Sequence, residues 1–369
     1  MENLNIIFIA LLIFSFSPLA TSIKSKIKSE TKGKSYTPSD DEIIQKAADV
    51  RPYLYTHQDE TYYPIAVESL NIKWPSDLSN QNSIITYDYS KGKTLDNNSP
   101  VYSRIDKTKE GGYLFTFAYI FAYNDCGPQL NVQAKASAVV SLNINENIKL
   151  CPAGVHNGDI EHTQVMVDAN LNVVYVKVAY HQWEKIYLKN DIRFEGTHPI
   201  VYMAKGSHAL YKNFFGENHY LSLWSINKTK TFKCPKYCKT IGITYPCGLK
   251  DCQYGFTSSG SFYDSTGNAN KYTGRFRLIA SNFLTIDSSS LSQDEKNLLV
   301  FQGRFGEKIQ NNGWSTFESS VNTTLSPLYA ICSDCKSTVK GGLDSASGEY
   351  ESDAPTSLAT KGWWKNDEI

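Results

Sequence analysis

Between residues 156 and 208 the chain gathers five of its seven histidines. The densest stretch, His156-Asn-Gly-Asp159-Ile-Glu161-His162, sets two imidazoles and two carboxylates within seven residues. On an extended strand alternate residues share a face, so Asp159 and Glu161 are expected to project together. His156 approaches them from a turn at Gly154. Carboxylates and an imidazole in one place suit a divalent cation with mixed oxygen and nitrogen ligands. The expected metal set is His156, Asp159, Glu161, His181 and His208. Asp159 and Glu161 equally suit a general acid and base, because one negative charge raises the pKa of its neighbour. A polar network that only ties strand ends to loops uses the same residue types. All three readings stay open on residue types alone.

Supporting or ligand-binding roles fall to His57, Asp59, Glu60, His162, Trp183 and His198. His208 lies in Gly206-Ser-His-Ala, where glycine lets the backbone bend sharply. His198 precedes Pro199, which favours extended backbone. Ser207 lacks the G-x-S-x-G elbow of a serine hydrolase.

These side chains need strands to hold them. Tyr113–Tyr123 is dense in aromatic residues, and Ala136–Ile144 carries β-branched ones. Thr163–Asp168 and Val173–Tyr180 flank Ala-Asn-Leu-Asn, the pattern of a β-hairpin. Helices are expected only at Asp40–Asp49 and at Ser292–Leu299, with Ser292 as N-cap. The expected class is therefore all-β: one large β-sandwich over 41–335, short peripheral helices, and a Cys-rich, disulfide-stapled inserted loop at about 229–260. Lys336–Ile369, rich in Ser, Gly and acids, reads as a disordered tail.

The apolar run Ile6–Phe16, followed by small residues at 20–22, reads as a signal peptide over 1–22. A flexible Lys/Ser-rich leader then runs over 23–40. Eight cysteines, an even number, suit disulfides in an oxidising compartment. Sequons at Asn97, Asn227 and Asn322 agree with a secretory route, though Pro100 follows the first. Cys332-Ser-Asp-Cys335 reads as a local disulfide. With 37 basic and 37 acidic residues the chain lacks the basic excess that nucleic-acid binding demands.

Four segments resemble, in order, the family of vacuolar protein sorting-associated protein 62 and related plant proteins of unknown function. They are His57-Gln-Asp59-Glu60-Thr-Tyr62-Tyr-Pro64, His156-x-Gly158-Asp159-x-Glu161-His162, Glu195-Gly-x-His198-Pro-x-Val-Tyr202 with Gly206-Ser-His208-Ala-x-Tyr211, and Gly303-Arg304-Phe305-Gly306. The family's tryptophans are Ile160 and Phe305 here. The match spans about residues 51–212 and 301–306 and implies a link to vacuolar protein delivery, without naming a reaction. The acidic cluster is also similar, more distantly, to the G-H-R-H-D-W-E motif of necrosis-inducing toxin-like proteins. That similarity implies a divalent cation at His156, Asp159 and Glu161 serving lipid head groups. The resulting expectation is a secretory-pathway protein, extracellular or in the vacuolar or endomembrane lumen. It would bind a divalent metal ion and a glycan or lipid head group, with peripheral membrane contact. A metal-assisted hydrolase using Asp159 and Glu161, and a sorting-related structural protein without a small-molecule site, are the alternatives.

Overall fold

The computed structural model describes residues 37–125, 127–136, 142–150, 155–181, 183–214, 217–233, 237–240, 243–246, 251–306, 313–350 and 356–365. The expected signal peptide, most of the leader, and Cys126, Cys151, Cys234 and Cys247 lie outside these residues.

The first element is a helix, α1 (Asp40–Asp49), as the sequence predicts. The Ser39 side chain accepts from Glu42 N, the Glu42 side chain returns to Ser39, and three acids occupy the first turn. These satisfy free N–H groups and complement the helix dipole. Strands follow: β1 (Tyr53–Thr56), β2 (Pro100–Lys107), β3 (Tyr113–Asn124), β4 (Gln129–Ala136), β5 (Leu142–Lys149) and β6 (His156–Val167). Next come β7 (Val173–Tyr180), β8 (Trp183–Leu188), β9 (Phe194–Glu195), β10 (His198–Met203) and β11 (Leu210–Tyr211). A long ribbon of β12 (Glu217–Lys233) and β15 (Asp251–Ser265) encloses the hairpin β13 (Tyr237–Thr240) and β14 (Ile243–Pro246). After β16 (Asn270–Tyr272) and β17 (Arg275–Ser281) come α2 (Gln293–Val300), α3 (Gly313–Thr324), α4 (Ser326–Ile331), α5 (Cys335–Tyr350) and α6 (Gly362–Lys365).

The fold is β-rich, as expected, with three larger sheets. One runs β17-β2-β3-β6-β7-β8, the second β11-β10-β1-β16 with β9 on β10, and the third β12-β15-β4-β5. Strand β3 is central and buried on both faces, which explains its unbroken apolar run. Its Phe115, Phe117, Tyr119 and Phe121 meet Leu54, Val201, Met203 and Tyr272 of the second sheet, together with Ile43 and Ala47 of α1, in a first core. Its Ala118, Ile120 and Ala122 face another core that includes Leu298 and Phe301. The predicted hairpin is β6–β7, and Ser292 caps α2 through a capping box with Glu295.

Two expectations need correction. The stretch 229–260 is mostly sheet rather than loop: β12 pairs with β15 from Glu217↔Ser265 to Lys233↔Asp251, and β15 pairs with β4. Trp224, Ile226, Phe256 and Phe262 bury in a core of this sheet's own, against α3–α5. The cause is alternation of apolar and polar residues, hidden beneath the cysteine pattern. Much of the expected disordered tail is α5, in which Val339, Leu343 and Ala346 bury in that same core. Their spacing of four and three residues is a helical stripe that a Gly- and Ser-rich composition masks. Cys332 and Cys335 form the expected local disulfide at the start of α5.

Candidate functional site

Asp159 and Glu161 share a face of β6, opposite Phe121 and Tyr119 of the first core. Between the strand start and Asp159 the backbone must pass Gly158, whose φ is +75°. A Cβ there would sit 2.2 Å from Tyr87 Oη and 2.3 Å from Phe305 O. Gly306, at φ +107°, is pressed equally hard against Asn157 O. The two glycine turns therefore interlock, which joins the segment at 156–162 to the one at 303–306.

Onto this frame β10 and β11 deliver the Gly206-Ser-His turn. His208 has a φ of +55° and no exposed surface. Its ring stacks on Phe121 at 3.9 Å, with planes 4° apart. Nδ1 donates to Asp159 Oδ2 at 3.0 Å. Nε2 stands 3.7 Å from Glu60 Oε1, an ion-pair distance too long for a hydrogen bond. Burial alone would discharge this ring, but the Asp159 and Glu60 carboxylates outweigh it and hold His208 up to about 9. In return His208 overcomes the burial that would protonate Asp159 and Glu60, and keeps both below the ordinary range. Glu60 also accepts from Tyr62 N and Gly206 N, each at 2.9 Å.

A second acid, Asp264 of β15, escapes the sequence reading. Fully buried, it accepts from His181 Nε2 at 2.7 Å, Ser207 Oγ at 3.0 Å and Tyr211 Oη at 2.6 Å. Ser207 is thus bonded straight to a carboxylate, so this geometry gives it no activating imidazole. His181, at φ +53°, is held in the β7–β8 turn by this bond to Asp264.

Beside Asp159 lie two groups that the protein does not satisfy. Burial, then the Asp159 charge, pushes Glu161 well above the ordinary carboxyl range. Burial pulls the Lys361 ammonium down, against the pull of Asp159 and Glu161. Among the described residues neither side chain has a hydrogen-bond partner. Tyr87 Oη, His208 Nε2 and Thr56 Oγ1 are buried and likewise without one. Tyr87 titrates far above its ordinary value through burial and the nearby Asp159 charge. Chemically the arrangement sets a carboxyl held below its ordinary range beside one pushed above it, the split that acid–base sites use.

The remaining expected residues divide among other tasks. His156 Nδ1 donates to Gly158 O at 2.6 Å. His162 points to the opposite face, stacked on Trp363 at 3.8 Å and bonded to Glu184 Oε1 at 3.0 Å. Trp183 stacks loosely on Tyr180. His57 Nδ1 accepts from Asp59 N, and exposed Asp59 pairs with Lys205 at 3.7 Å. His198 stacks on Tyr53 and donates to Arg51 O, within the second sheet.

The five residues of the expected metal set therefore do not converge on one point. His208, protonated between acids, offers no lone pair, and His181 is committed to Asp264. Among the described residues, the group of three donors lying within 4.8 Å of one another is Cys332, Asp334 and Cys335. Its two sulfurs are joined to each other, so neither is a thiolate ligand in this state. Lys361, Trp363, Tyr87 and Asp264 are the site residues that sequence reasoning missed. For the first two a signal existed: Lys-Gly-Trp-Trp is an aromatic anchor set in a polar tail. Comparison with family models, curated proteins and solved structures found no match for this chain.

Proposed function

We propose that this is a secretory-pathway binding protein, of the kind its resemblance to the vacuolar protein sorting-associated protein 62 family implies. Its site takes a hydroxyl-rich group, a glycan or a lipid head group. The observation that carries this reading is unspent hydrogen-bonding capacity around one charge. Glu161, Lys361, Tyr87 Oη and His208 Nε2 all lack a hydrogen-bond partner among the described residues, and all four feel Asp159. Leaving a buried polar group such as Tyr87 Oη or His208 Nε2 unbonded costs about 1–3 kcal/mol, which ligand hydroxyls would relieve, while Glu161 and Lys361 are half-buried. A divalent cation at Asp159 and Glu161 would favour the ionised form of both carboxyls and belongs to the same proposal. The six-stranded sheet and the sheet containing β1 are read as two leaves of a β-sandwich, which their shared core supports.

The test is binding to a glycan array and to phosphoinositide- or sphingolipid-containing liposomes, with and without EDTA. Glu161→Gln and Lys361→Met should each weaken binding about tenfold or more, the value of one or two charge-assisted hydrogen bonds. Their folds should be unchanged by circular dichroism. Wild-type binding that neither variant alters would sink the proposal, and loss in EDTA would add the cation. A structural reading is favoured by one observation: the Gly206-Ser-His turn is tied to Glu60, Asp264 and Asp159. It predicts that variants of this turn lower stability while no ligand is found.

A further inference from the structure

The third sheet packs one face on α3–α5, and the side chains of its other face are mostly exposed among the described residues. Register places Asn227, Thr257, Lys135 and Asn143 side by side across its four strands. The next row is Ser225, Ser259, Gln133 and Asn145. Apart from Lys135, both rows are therefore amides and hydroxyls. Two grooves, of about 480 and 320 Å³, open on this face, and Lys135, Asn227 and Thr257 line both.

Asn227-Lys-Thr229 is also a sequon. On a strand Asn227 and Thr229 share a face, and both are exposed. Among the described residues the Asn227 side chain makes no hydrogen bond. The other two sequons are built differently. Asn97 Oδ1 accepts from Thr273 N at 2.7 Å and from Thr273 Oγ1 at 3.2 Å, and Pro100 follows its acceptor triplet. Asn322 is half-buried in α3, with its Oδ1 accepting from Tyr329 Oη at 3.3 Å.

We propose that Asn227 is the principal N-glycosylation site and that its glycan lies along these grooves, its hydroxyls bonded to the amide rows. Asn227 Nδ2 forms a C–N bond to the anomeric carbon of a lipid diphosphate-linked oligosaccharide. The sugar–phosphate C–O bond breaks, the lipid diphosphate leaves, and the nitrogen's proton passes to a base on the transferase. The inference rests on the secretory reading above, though not on any ligand of the acidic site.

The experiment expresses the full chain through the secretory route of a eukaryotic host. Glycopeptides, the N-terminus and Lys135 acetylation are then followed by mass spectrometry in wild type and Thr229→Ala, which keeps the asparagine. The expected result is a glycan on the Asn227 peptide, loss of one glycan mass in the variant, and several-fold faster acetylation of Lys135 once the glycan is gone. A cleaved leader with a bare Asn227 overturns the inference and leaves the secretory reading standing. An intact leader with every sequon bare overturns both. A glycan at Asn227 with unchanged Lys135 reactivity overturns its placement in the grooves.

Discussion

At the scale of single residues, His208 decides the character of the site. A buried imidazole ordinarily sheds its proton, yet here one acid bonds it at 3.0 Å and a second stands 3.7 Å away. The gain is reciprocal, since without His208 the buried Asp159 and Glu60 carboxylates would each lose the cation that holds them below their ordinary range. His208→Asn should therefore destabilise the fold by about 3–5 kcal/mol, the cost of stripping a buried ion pair of one partner. The pH dependence has a definite sign. The folded-state pKa, about 9, lies above the ordinary 6.5. The stabilisation is thus complete below pH 6.5 and is lost as pH rises through about 9, amounting to about 3 kcal/mol by linkage. Urea midpoints of the wild type should fall across that alkaline window, and the fall should vanish in the variant. A midpoint flat between pH 6.5 and 9 in the wild type would mean that His208 is neutral. Residue types alone pointed to Asp159, Glu161 and His208 as neighbours. They could not show that His208 is a proton-bearing clamp, because that state depends on Glu60, which arrives from about 150 residues away in sequence.

At the scale of elements, the strap of residues 356–365 closes over β6. Ser357 N donates to Gly303 O at 2.9 Å, Ser357 Oγ donates to Phe301 O, and Gln164 Nε2 donates to Trp363 O at 3.2 Å. Trp363 then covers His162, and burial drives that imidazole down to about 4 despite the Glu184 carboxylate. Glu184, bonded by His162 and Lys177, is held near 2. Because the folded pKa of His162 is depressed, its contribution is present above pH 6.5 and is lost as pH falls toward 4, by about 3 kcal/mol. Trp363→Ala should cost about 2–3 kcal/mol at neutral pH, less than a fully buried tryptophan, since the ring is half-exposed. It should also let water reach His162, so that the ring titrates closer to 6.5 and the acid loss shrinks. Proton NMR of the His162 ring reads this directly, and an unmoved titration would show that the strap does not cover it. The elements legible beforehand were those with strong local rules: α1 through the acids of its first turn, α2 through its N-cap Ser292, and β3 and β6–β7 through apolar patterning. The strap was not, because its order comes from distant Phe301, Gly303 and His162, and its own composition is polar.

At the scale of the molecule, two bodies of core grow from one chain. The first core and that around Phe301 share β3 and β6, whereas the core of the third sheet draws on β4, β12, β15 and α3–α5 and shares no residue with them. The β4–β5 and β12–β15 excursions leave the first sheets and return to them, and the C-terminal helices then close the third sheet. That assembly was invisible in sequence because its pieces lie more than a hundred residues apart and only pairing of β15 with β4 unites them. Mechanically the bodies are tied where Asp264 of β15 holds His181, Ser207 and Tyr211, and where Lys205 N donates to Ser265 O at 2.8 Å. A tie made of a handful of hydrogen bonds is worth a few kcal/mol, too little to make two separate hydrophobic cores melt as one. Calorimetry should accordingly show two transitions. Leu343→Ala, which empties a fully buried site in the third-sheet core, should lower one of them by about 2–5 kcal/mol. Phe117→Ala, buried in the first core, should lower the other by about 3–5 kcal/mol. If either variant instead moved a single transition as a whole, the Asp264 tie would be carrying far more coupling than its hydrogen bonds account for. The acidic site beside it would then sit on a joint between rigidly coupled bodies, so that ligand binding at Glu161 would stabilise the third sheet as well as the first.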